Sequence, residues 1–393
     1  MNSSDIIKTD EYGIYKFKMP QLSDYSHALG LAGESTLLKK LLTYGNDNLY
    51  NKINSPDYGD WLMHHKEYGQ TYQQFIANKP RYLYLNPNSN NFNNIIYLVS
   101  ISYSENTLMN NDFIMSLKIL TQSYFYGMKV KILNKVYDIN KYNISTKMNI
   151  DTGKIQICSE QILQLINNDK LKDAYCIIAF TDQDLFLNKY ETINNVDLNK
   201  DTLKDIENNL STSYAFSLSC SKQGASIFSF ARYDPLFYCN NFNNKESDEN
   251  YDKKNRQNTT FSNNIDKPEY MQKYFNILLK RSCKSLIKEI CNMMGLKNCI
   301  YYECVLNGYM SLQELDSKPL EVCPICLRKI YFIIQYKNIG NTKYEIKQMD
   351  NPIILYERWI KLKDTLEDYF ENVFDEELQW YKNKLFILNN DVI

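Results

Sequence analysis

The chain has 393 residues, of which 44% are hydrophobic and 14% aromatic; this is enough apolar material for a folded core and excludes wholesale disorder. Its 45 basic and 46 acidic residues leave a net charge of −1, which argues against an electrostatic nucleic-acid binder because such proteins carry a basic surplus. No apolar run approaches the roughly 20 residues of a membrane span, and no targeting signal is visible. We therefore expect a cytoplasmic protein, with a nuclear location left open, whose cysteines are free or metal-bound.

The first 60 residues are polar and mixed, with a helix-like stretch only at 34–44, and we interpret residues 1–60 as an N-terminal extension. From residue 61 onward, the spacing of apolar residues predicts helices that alternate with buried strands, which is typical of an α/β-like layer. The predicted strands cover residues 94–103, 128–136, 173–181 and 225–233. The predicted helices cover residues 61–77, 111–125, 159–166 and 267–294.

Two polar segments interrupt this layer. The Asn-rich residues 86–94 predict a turn, and residues 240–266, a low-complexity insert of Asn, Lys, Asp and Ser, predict a surface loop. Later in the chain, Asn351 and Pro352 have the residue types of a helix cap and a first helical position. We interpret residues 61–335 as the main domain and residues 336–393 as a C-terminal helical segment.

Four cysteines have the sharpest spacing in the chain. Cys299 and Cys304 are followed, after 18 residues, by Cys323 and Cys326. Two closely spaced pairs separated by a loop are what a tetrahedral four-thiolate zinc site needs. The alternative is that these are buried free thiols, as we expect for the other cysteines. A closed four-cysteine site leaves no open coordination position, so zinc in this loop, residues 299–326, is predicted to be structural.

Immediately before this loop, residues 288–299 have the sequence KEICNMMGLKNC, which aligns with the pattern H-E-x-x-H-x-x-G-x-x-H-C. Glu289, Gly295 and Cys299 match the pattern, whereas a lysine and two asparagines occupy the three histidine positions. The replaced positions are Lys288, Asn292 and Asn298.

Further matching segments lie on both sides of this motif. They are SYFYGMKV at 123–130, LKDAYCIIAFTDQDLF at 171–186, ASIFSFARY at 225–233 and YERWIKL at 356–362. Together with the four-cysteine loop they make roughly residues 60–370 similar to the archaemetzincins, a family of zinc metallopeptidases of the metzincin clan.

This resemblance implies an α+β fold of the zincin type, in which a twisted mixed sheet covers an active-site helix and a smaller helical subdomain follows. Archaemetzincins carry a catalytic zinc on three histidines and a structural zinc on four cysteines. The implied structural ligands are all present in this sequence: Cys299, Cys304, Cys323 and Cys326. Glu289 holds the position of the general base, and Leu306 stands where the family has a methionine below the catalytic metal.

The resemblance also implies an edge that binds substrate. In metzincins the strand that matches residues 225–233 borders the cleft and pairs with extended peptides through main-chain hydrogen bonds. The candidate peptide-binding residues of this strand are Ile227, Phe228, Ser229 and Phe230.

The three replaced histidine positions determine whether a catalytic zinc can bind. Imidazole is a neutral donor for zinc, whereas a lysine ammonium is a cation without a lone pair and an asparagine amide is a weak ligand. The three histidines of the chain offer no substitute, because His64 and His65 are adjacent and their rings diverge by about 100° on a helix, and His27 is distant in sequence. We therefore predict one structural zinc and no catalytic zinc.

Two residues beside the lost ligands invite a catalytic interpretation. Glu289 is interpreted as a remnant general base that is inactive without zinc, and the alternative is a partnered or solvated helix carboxylate. Cys291 could be imagined as a replacement ligand or nucleophile, but it has no histidine partner.

Three functions are compatible with the sequence. The first is a pseudopeptidase that keeps its structural zinc and binds an extended peptide or protein segment at the old cleft. The alternative is an active zinc metallopeptidase with an altered metal site, and a third is an interaction role of the N-terminal extension or the Asn-rich insert. Neither nucleic acid nor a membrane is an expected partner, and the sequence does not define the oligomeric state.

Overall fold

The computed structural model describes residues 17–43, 45, 49–81, 83–84, 93–102, 111–135, 137–188, 214–238, 268–338, 346–348 and 351–391. The predicted insert at 240–266 and most of the Asn-rich turn at 86–94 lie outside these residues. The chain forms two compact units. Unit 1 comprises Met1–Tyr82, Met294–Asp364 and Asp375–Ile393, and unit 2 comprises Leu83–Met293 and Thr365–Phe374. The domain boundaries predicted at residues 60 and 335 do not coincide with this division.

The helices, in chain order, are α1 Leu22–Leu29, α2 Thr36–Thr43, α3 Trp61–His64, α4 Tyr72–Ala77, α5 Asn111–Tyr124, α6 Ser159–Asn168, α7 Pro268–Met293, α8 Leu312–Ser317, α9 Pro324–Gln335, α10 Ile353–Tyr369 and α11 Asp375–Asp391. Among the helices that the structure describes, none has the length and apolar character needed to cross a bilayer.

The strands are β1 Leu83–Tyr84, β2 Ile95–Ser102, β3 Lys129–Ile132, β4 Tyr137–Asp138, β5 Thr146–Met148, β6 Ile155–Cys158, β7 Ala174–Thr181, β8 Asp184–Phe186, β9 Ser217–Cys220, β10 Ala225–Ser229, β11 Tyr336–Asn338 and β12 Ile346–Gln348. Unit 2 contains the main sheet, whose strand order is β3-β2-β7-β10-β9 with β4 beside β2. Strands β3, β2, β7 and β10 are parallel, and β9 is antiparallel to β10. Helix α7 packs against β7, β9 and β10. The predicted α+β fold with a mixed sheet is confirmed.

Strand β10 differs from its prediction. It ends at Ser229, and Phe230 leads into a short 3-10 turn over Ala231–Tyr233. It is also an interior strand, because β7 pairs with one side and β9 with the other. The prediction that Ile227, Phe228, Ser229 and Phe230 form a peptide-binding edge strand is therefore wrong. The neighbour that covers this side, β9, has only four residues in a polar stretch, and the apolar pattern did not predict it.

The single helix predicted at 61–77 is two short helices, α3 and α4, with a break between them. Gly69 adopts φ +69, and a Cβ at this glycine would come within 2.8 Å of the Ile300 side chain. Helix α4 then starts with a capping box, in which Thr71 Oγ1 accepts from the Gln74 amide and Gln74 Oε1 accepts from the Thr71 amide. The sequence contains these capping residues, but the helical spacing of apolar residues continues across them and therefore predicts a single helix.

In unit 1, helix α9 is buried along its whole length and is packed by α1, α2 and α4. Its Arg328 donates to the carbonyl of Leu29, the last residue of α1, and forms an ion pair with Glu34 at 2.5 Å. Residues 17–60, where the structure describes them, are therefore a packed part of unit 1, whereas the sequence analysis interprets residues 1–60 as an N-terminal extension.

A buried polar network supports the C-terminal helices of unit 1. Arg358 of α10 donates two hydrogen bonds of 2.9 Å to the Glu321 carboxylate, and the Tyr381 hydroxyl of α11 donates a third at 2.8 Å. Lys384 of α11 is fully buried, and this burial lowers its pKa from 10.5 to about 8. The predicted helix after Asn351 and Pro352 is confirmed as α10.

Candidate functional site

The four cysteines predicted as zinc ligands converge in unit 1. Their Sγ atoms all lie within 4.8 Å of one another, and those of Cys299 and Cys323 are 3.6 Å apart. Tetrahedral zinc with Zn–S bonds of about 2.3 Å would separate two sulfurs by about 3.8 Å. All four side chains are buried. The cluster, whose other members are Cys304 and Cys326, therefore has the size and donor atoms of a metal site.

Two residues that sequence reasoning missed hold the loop in place. The Asn307 Oδ1 atom accepts from the Cys304 amide at 2.8 Å, and its Nδ2 atom donates to the carbonyls of Cys299 and Tyr302, each at 2.9 Å. The buried Lys318 ammonium donates to the carbonyl of Asn307 at 2.6 Å. These contacts organise the backbone between the ligands, and their only sequence signal is a polar side chain inside a cysteine loop.

The cluster is electrostatically suited to a cation. Hydrogen bonds with the other three thiols lower the pKa of Cys299, whereas burial raises the pKa of Cys304 and of Cys323. Backbone amides of Leu306 and Cys323 donate to Cys304 Sγ at 3.5 and 3.3 Å. Burial opposes ionisation of Cys304 and Cys323, and a divalent metal held by all four cysteines would convert their thiols to thiolates.

In unit 2, Glu289 lies on the last turns of α7 and faces the main sheet. Its side chain is 4% exposed, and its Oε2 atom accepts hydrogen bonds from Ser219 of β9 and, at 2.8 Å, from Ser226 of β10. The two hydroxyls are 2.8 Å apart. The alternative interpretation of Glu289, a partnered helix carboxylate, describes its observed contacts.

The replaced ligand positions do not form a three-histidine zinc site. Lys288 and Asn292 lie four residues apart on α7, so they share one helix face, and both are half-buried. Asn298 belongs to unit 1, where its amide donates to Glu67 Oε1 at 2.6 Å. A lysine and two amides cannot supply three neutral imidazole donors, and these residues do not fit a catalytic zinc.

The turn between the helix and the loop has the predicted glycine. Gly295 adopts φ +89, a left-handed conformation that glycine tolerates without strain. The carbonyl of Gly295 accepts from Gln70 Nε2 at 3.2 Å. Of the histidines, His64 is exposed, while His65 is half-buried and stacks on Trp61 with ring centroids 3.5 Å apart.

Comparison with known proteins agrees with this geometry. Residues 257–331 match the model of Peptidase family M54. Archaemetzincin-2 of Rattus norvegicus is 30% identical over 322 residues, which cover 81% of this chain and 80% of the relative. Archaemetzincin-2 of Homo sapiens is 28% identical over 321 residues with the same coverage. Archaemetzincin-1 of Homo sapiens is 25% identical over 291 residues, which cover 71% of this chain and 50% of the relative.

Among solved structures, the archaemetzincin of Archaeoglobus fulgidus complexed with malonate covers 60% of this chain and 99% of its own, at 16% identity and a TM-score of 0.35. That likeness is too weak to add to the sequence relationship. The extent and identity of the match to archaemetzincin-2 confirm the resemblance on which the site prediction depends. This chain therefore belongs to the archaemetzincin family.

Proposed function

We propose that this member of the archaemetzincin family is a catalytically inactive pseudopeptidase that acts by binding an extended peptide or protein segment. One observation carries the proposal: the carboxylate in the general-base position is buried against two serine hydroxyls, while the positions beside it on α7 are a lysine and an asparagine. A free carboxylate and a metal are both needed to activate water in this type of peptidase. Here the Glu289 carboxylate is not free, because it accepts hydrogen bonds from the hydroxyls of Ser219 and Ser226.

We further propose that the four cysteines hold one structural zinc. Cys299, Cys304, Cys323 and Cys326 would fill all four positions of a tetrahedral ion, so none is left for water or substrate. Zinc bound there supplies folding energy by neutralising the buried thiolates. None of the nine cysteines that the structure describes is in a disulfide, which fits a cytoplasmic location.

The structure suggests a different peptide-binding edge from the predicted one. In the described part of the main sheet, β9 is the terminal strand. The amide of Ser229 donates to the carbonyl of Phe216 at 2.9 Å. In an antiparallel pair every second residue turns its backbone N–H and C=O groups toward the partner strand, so the groups of Phe216 and Leu218 point toward β10. The backbone groups of Ser217 and Ser219 therefore point away from β10. These are the groups with which an added strand would pair.

The activity part of the proposal is tested by zinc content and peptide hydrolysis in the same preparation. We expect one zinc per chain and no hydrolysis above the blank, with or without added zinc. Glu289→Gln provides the control for a contaminating peptidase. Two zinc ions per chain, together with a chelator-sensitive rate that Glu289→Gln abolishes, would establish the alternative, an active peptidase with an altered metal site.

The binding part is tested by screening immobilised extended peptides with the wild-type protein and with Ser217→Pro. Proline removes one outward-pointing amide of β9 without removing a hydrogen bond to β10, so it should weaken peptide capture while the fold survives. Ser217→Ala, which keeps the amide, is the matched control. Capture that is equal in all three proteins would exclude β9 as the docking edge.

A further inference from the structure

A segment that the sequence predicted to be an extension is joined to the cysteine loop by backbone pairing. Lys52 forms an antiparallel bridge with Tyr302, the Ile53 amide donates to the Tyr301 carbonyl at 3.1 Å, and the Glu303 amide donates to the Asn51 carbonyl at 2.9 Å. The side chain of Glu303 reinforces this pairing, because its carboxylate accepts from Asn51 Nδ2 at 2.9 Å. The segment therefore lies along the loop as an added strand.

A second attachment lies ten residues further along the same segment. The Trp61 ring lies so close to Gly308 that a Cβ at this glycine would be 2.0 Å from the ring. The Trp61 amide also donates to Glu314 Oε1 at 2.8 Å, and its indole Nε1 donates to Glu67 Oε1 at 2.9 Å. Trp61 is thus fixed at both its backbone and its side chain.

Both attachments fall between metal ligands. Tyr301, Tyr302 and Glu303 lie between Cys299 and Cys304, and Gly308 and Glu314 lie between Cys304 and Cys323. A loop closed by four thiolates on one ion has its backbone fixed by that ion, because structural metal sites are not preformed in the unfolded chain. The pairing with residues 51–54 needs this fixed backbone.

We propose that residues 49–68 form a metal-dependent strap, which docks on the cysteine loop when the four cysteines hold zinc and leaves it when the metal is lost. The inference rests on the proposed structural zinc. Loss of zinc from the loop would then be detectable as loss of order in the strap, which is distant from the loop in the sequence. Because the coupling free energy between two binding events is reciprocal, loosening the strap should also weaken the binding of zinc.

The first test is backbone amide hydrogen exchange of the full chain with and without a strong chelator. We expect that chelation removes the protection of Ile53 and Glu303 while the amides of β2 and β7 in unit 2 stay protected. Residues 51–54 that remain protected after the zinc has left, as measured by a zinc indicator, would overturn the proposal. Simultaneous loss of protection in β2 and β7 would also overturn it, because zinc would then hold the whole fold. A protein that binds no zinc at all would instead refute the structural site itself.

The second test disturbs the contact between Trp61 of the strap and Gly308 of the loop, and it leaves every ligand in place. Gly308→Ala should displace the Trp61 ring and raise the Kd for zinc, measured by competition with a chelator, by roughly tenfold, within the usual range of coupling between sites. Gly153→Ala in unit 2 is the control for a glycine substitution that strains the fold without a clash, because Gly153 has φ +62 and a Cβ there has no atom within 4 Å. The indole fluorescence of Trp61, assigned with Trp61→Phe, reports the displacement. A displaced ring with an unchanged Kd for zinc would refute the coupling, and an undisplaced ring would refute the Trp61 anchor.

Discussion

The cysteine loop of unit 1 and the end of helix α7 in unit 2 correspond to the two metal sites of the archaemetzincin family, and they differ completely. The loop has all four of its ligands and a set of side chains that fix its backbone. The helix has a lysine and an asparagine where two histidines are expected. A ligand whose metal supplies folding energy cannot be exchanged without loss of the fold, whereas a ligand that serves only chemistry can.

The two regions also satisfy their buried polar groups differently. In the loop, buried thiols face one another, and burial raises the pKa of Cys304 and Cys323. On the helix, Glu289 is paired with neutral hydroxyl donors from the sheet. The first arrangement offers four donor atoms that could hold one metal ion, and the second is complete within the protein. Each of the following experiments tests one side of this contrast.

The largest effect is expected from removal of a thiolate. Cys326→Ser should release the metal and lower the free energy of unfolding by more than about 5 kcal/mol, part of the roughly 10–16 kcal/mol that structural zinc sites supply. Cys291→Ser, at another fully buried cysteine, is the matched control and should cost only about 1–2 kcal/mol. Urea unfolding and zinc content measure both variants. Equal destabilisation by the two would show that the cluster does not depend on metal.

A gain of metal binding should follow from restoring the helix. Lys288→His combined with Asn292→His places two imidazoles four residues apart on one face of α7, where they can grip one ion. At zinc concentrations 100-fold above the Kd, the variant should be stabilised by about 2.7 kcal/mol. The single variant Lys288→His should show no such gain in stability. Adding Asn298→His to the double variant tests whether the third position contributes to zinc binding. A double variant that folds but is not stabilised by zinc would mean that this helix face can no longer bind an ion.

Removal of the Glu289 carboxylate should affect stability and not catalysis. Glu289→Ala removes the acceptor of the buried Ser226 hydroxyl and of the half-buried Ser219 hydroxyl and should cost about 2 kcal/mol. Glu289→Gln should cost less, because its amide oxygen can still accept. A double-mutant cycle with Ser226→Ala measures the coupling, which should exceed about 0.5 kcal/mol. Additive effects of the two changes would contradict the pairing.

The smallest effect concerns the buried Lys384. Because its folded pKa is about 8 against 10.5 in the unfolded chain, the unfolded state binds more protons between these values, and the free energy of unfolding rises with pH through this window. This pH-dependent stabilisation by Lys384 is lost below about pH 8, and it raises the free energy of unfolding by about 1 kcal/mol between pH 8 and pH 9. The difference between wild type and Lys384→Met, measured by urea unfolding at several pH values, isolates it. A difference that does not depend on pH would place the Lys384 pKa outside the window.

Local signals in the sequence were sufficient for much of the fold. The buried strands β2 and β7 and the helices α5 and α7 were predicted within one or two residues, because long apolar runs and helical spacing are strong patterns. The cysteine spacing likewise predicted the convergence of four thiols. In each case a single short stretch of sequence carries the pattern.

Features that depend on contacts between distant segments were not predictable in this way. The edge-strand interpretation of β10 came from the family resemblance, and it fails here because β9, which has just four residues, pairs with that side of β10. The partners of Glu289, Ser219 and Ser226, are ordinary serines about 60–70 residues away, and their role depends on the register of β9 against β10. Glu67 was missed for the same reason, because its contact with Asn298 spans 231 positions.

The division of the chain into units has a consequence for the order of folding during synthesis. Unit 2 is built mainly from one continuous stretch, Leu83–Met293, whereas unit 1 needs three stretches that include the last helix. Domains fold as their residues emerge from the ribosome, and distant contacts form slowly. The N-terminal segment therefore waits through the synthesis of all of unit 2 for its partners, which include Trp380 of α11, whose indole donates to the Leu49 carbonyl at 2.8 Å. A nascent chain stalled before α11 would carry a folded unit 2 and a metal-binding unit that is still open to chaperones and proteases.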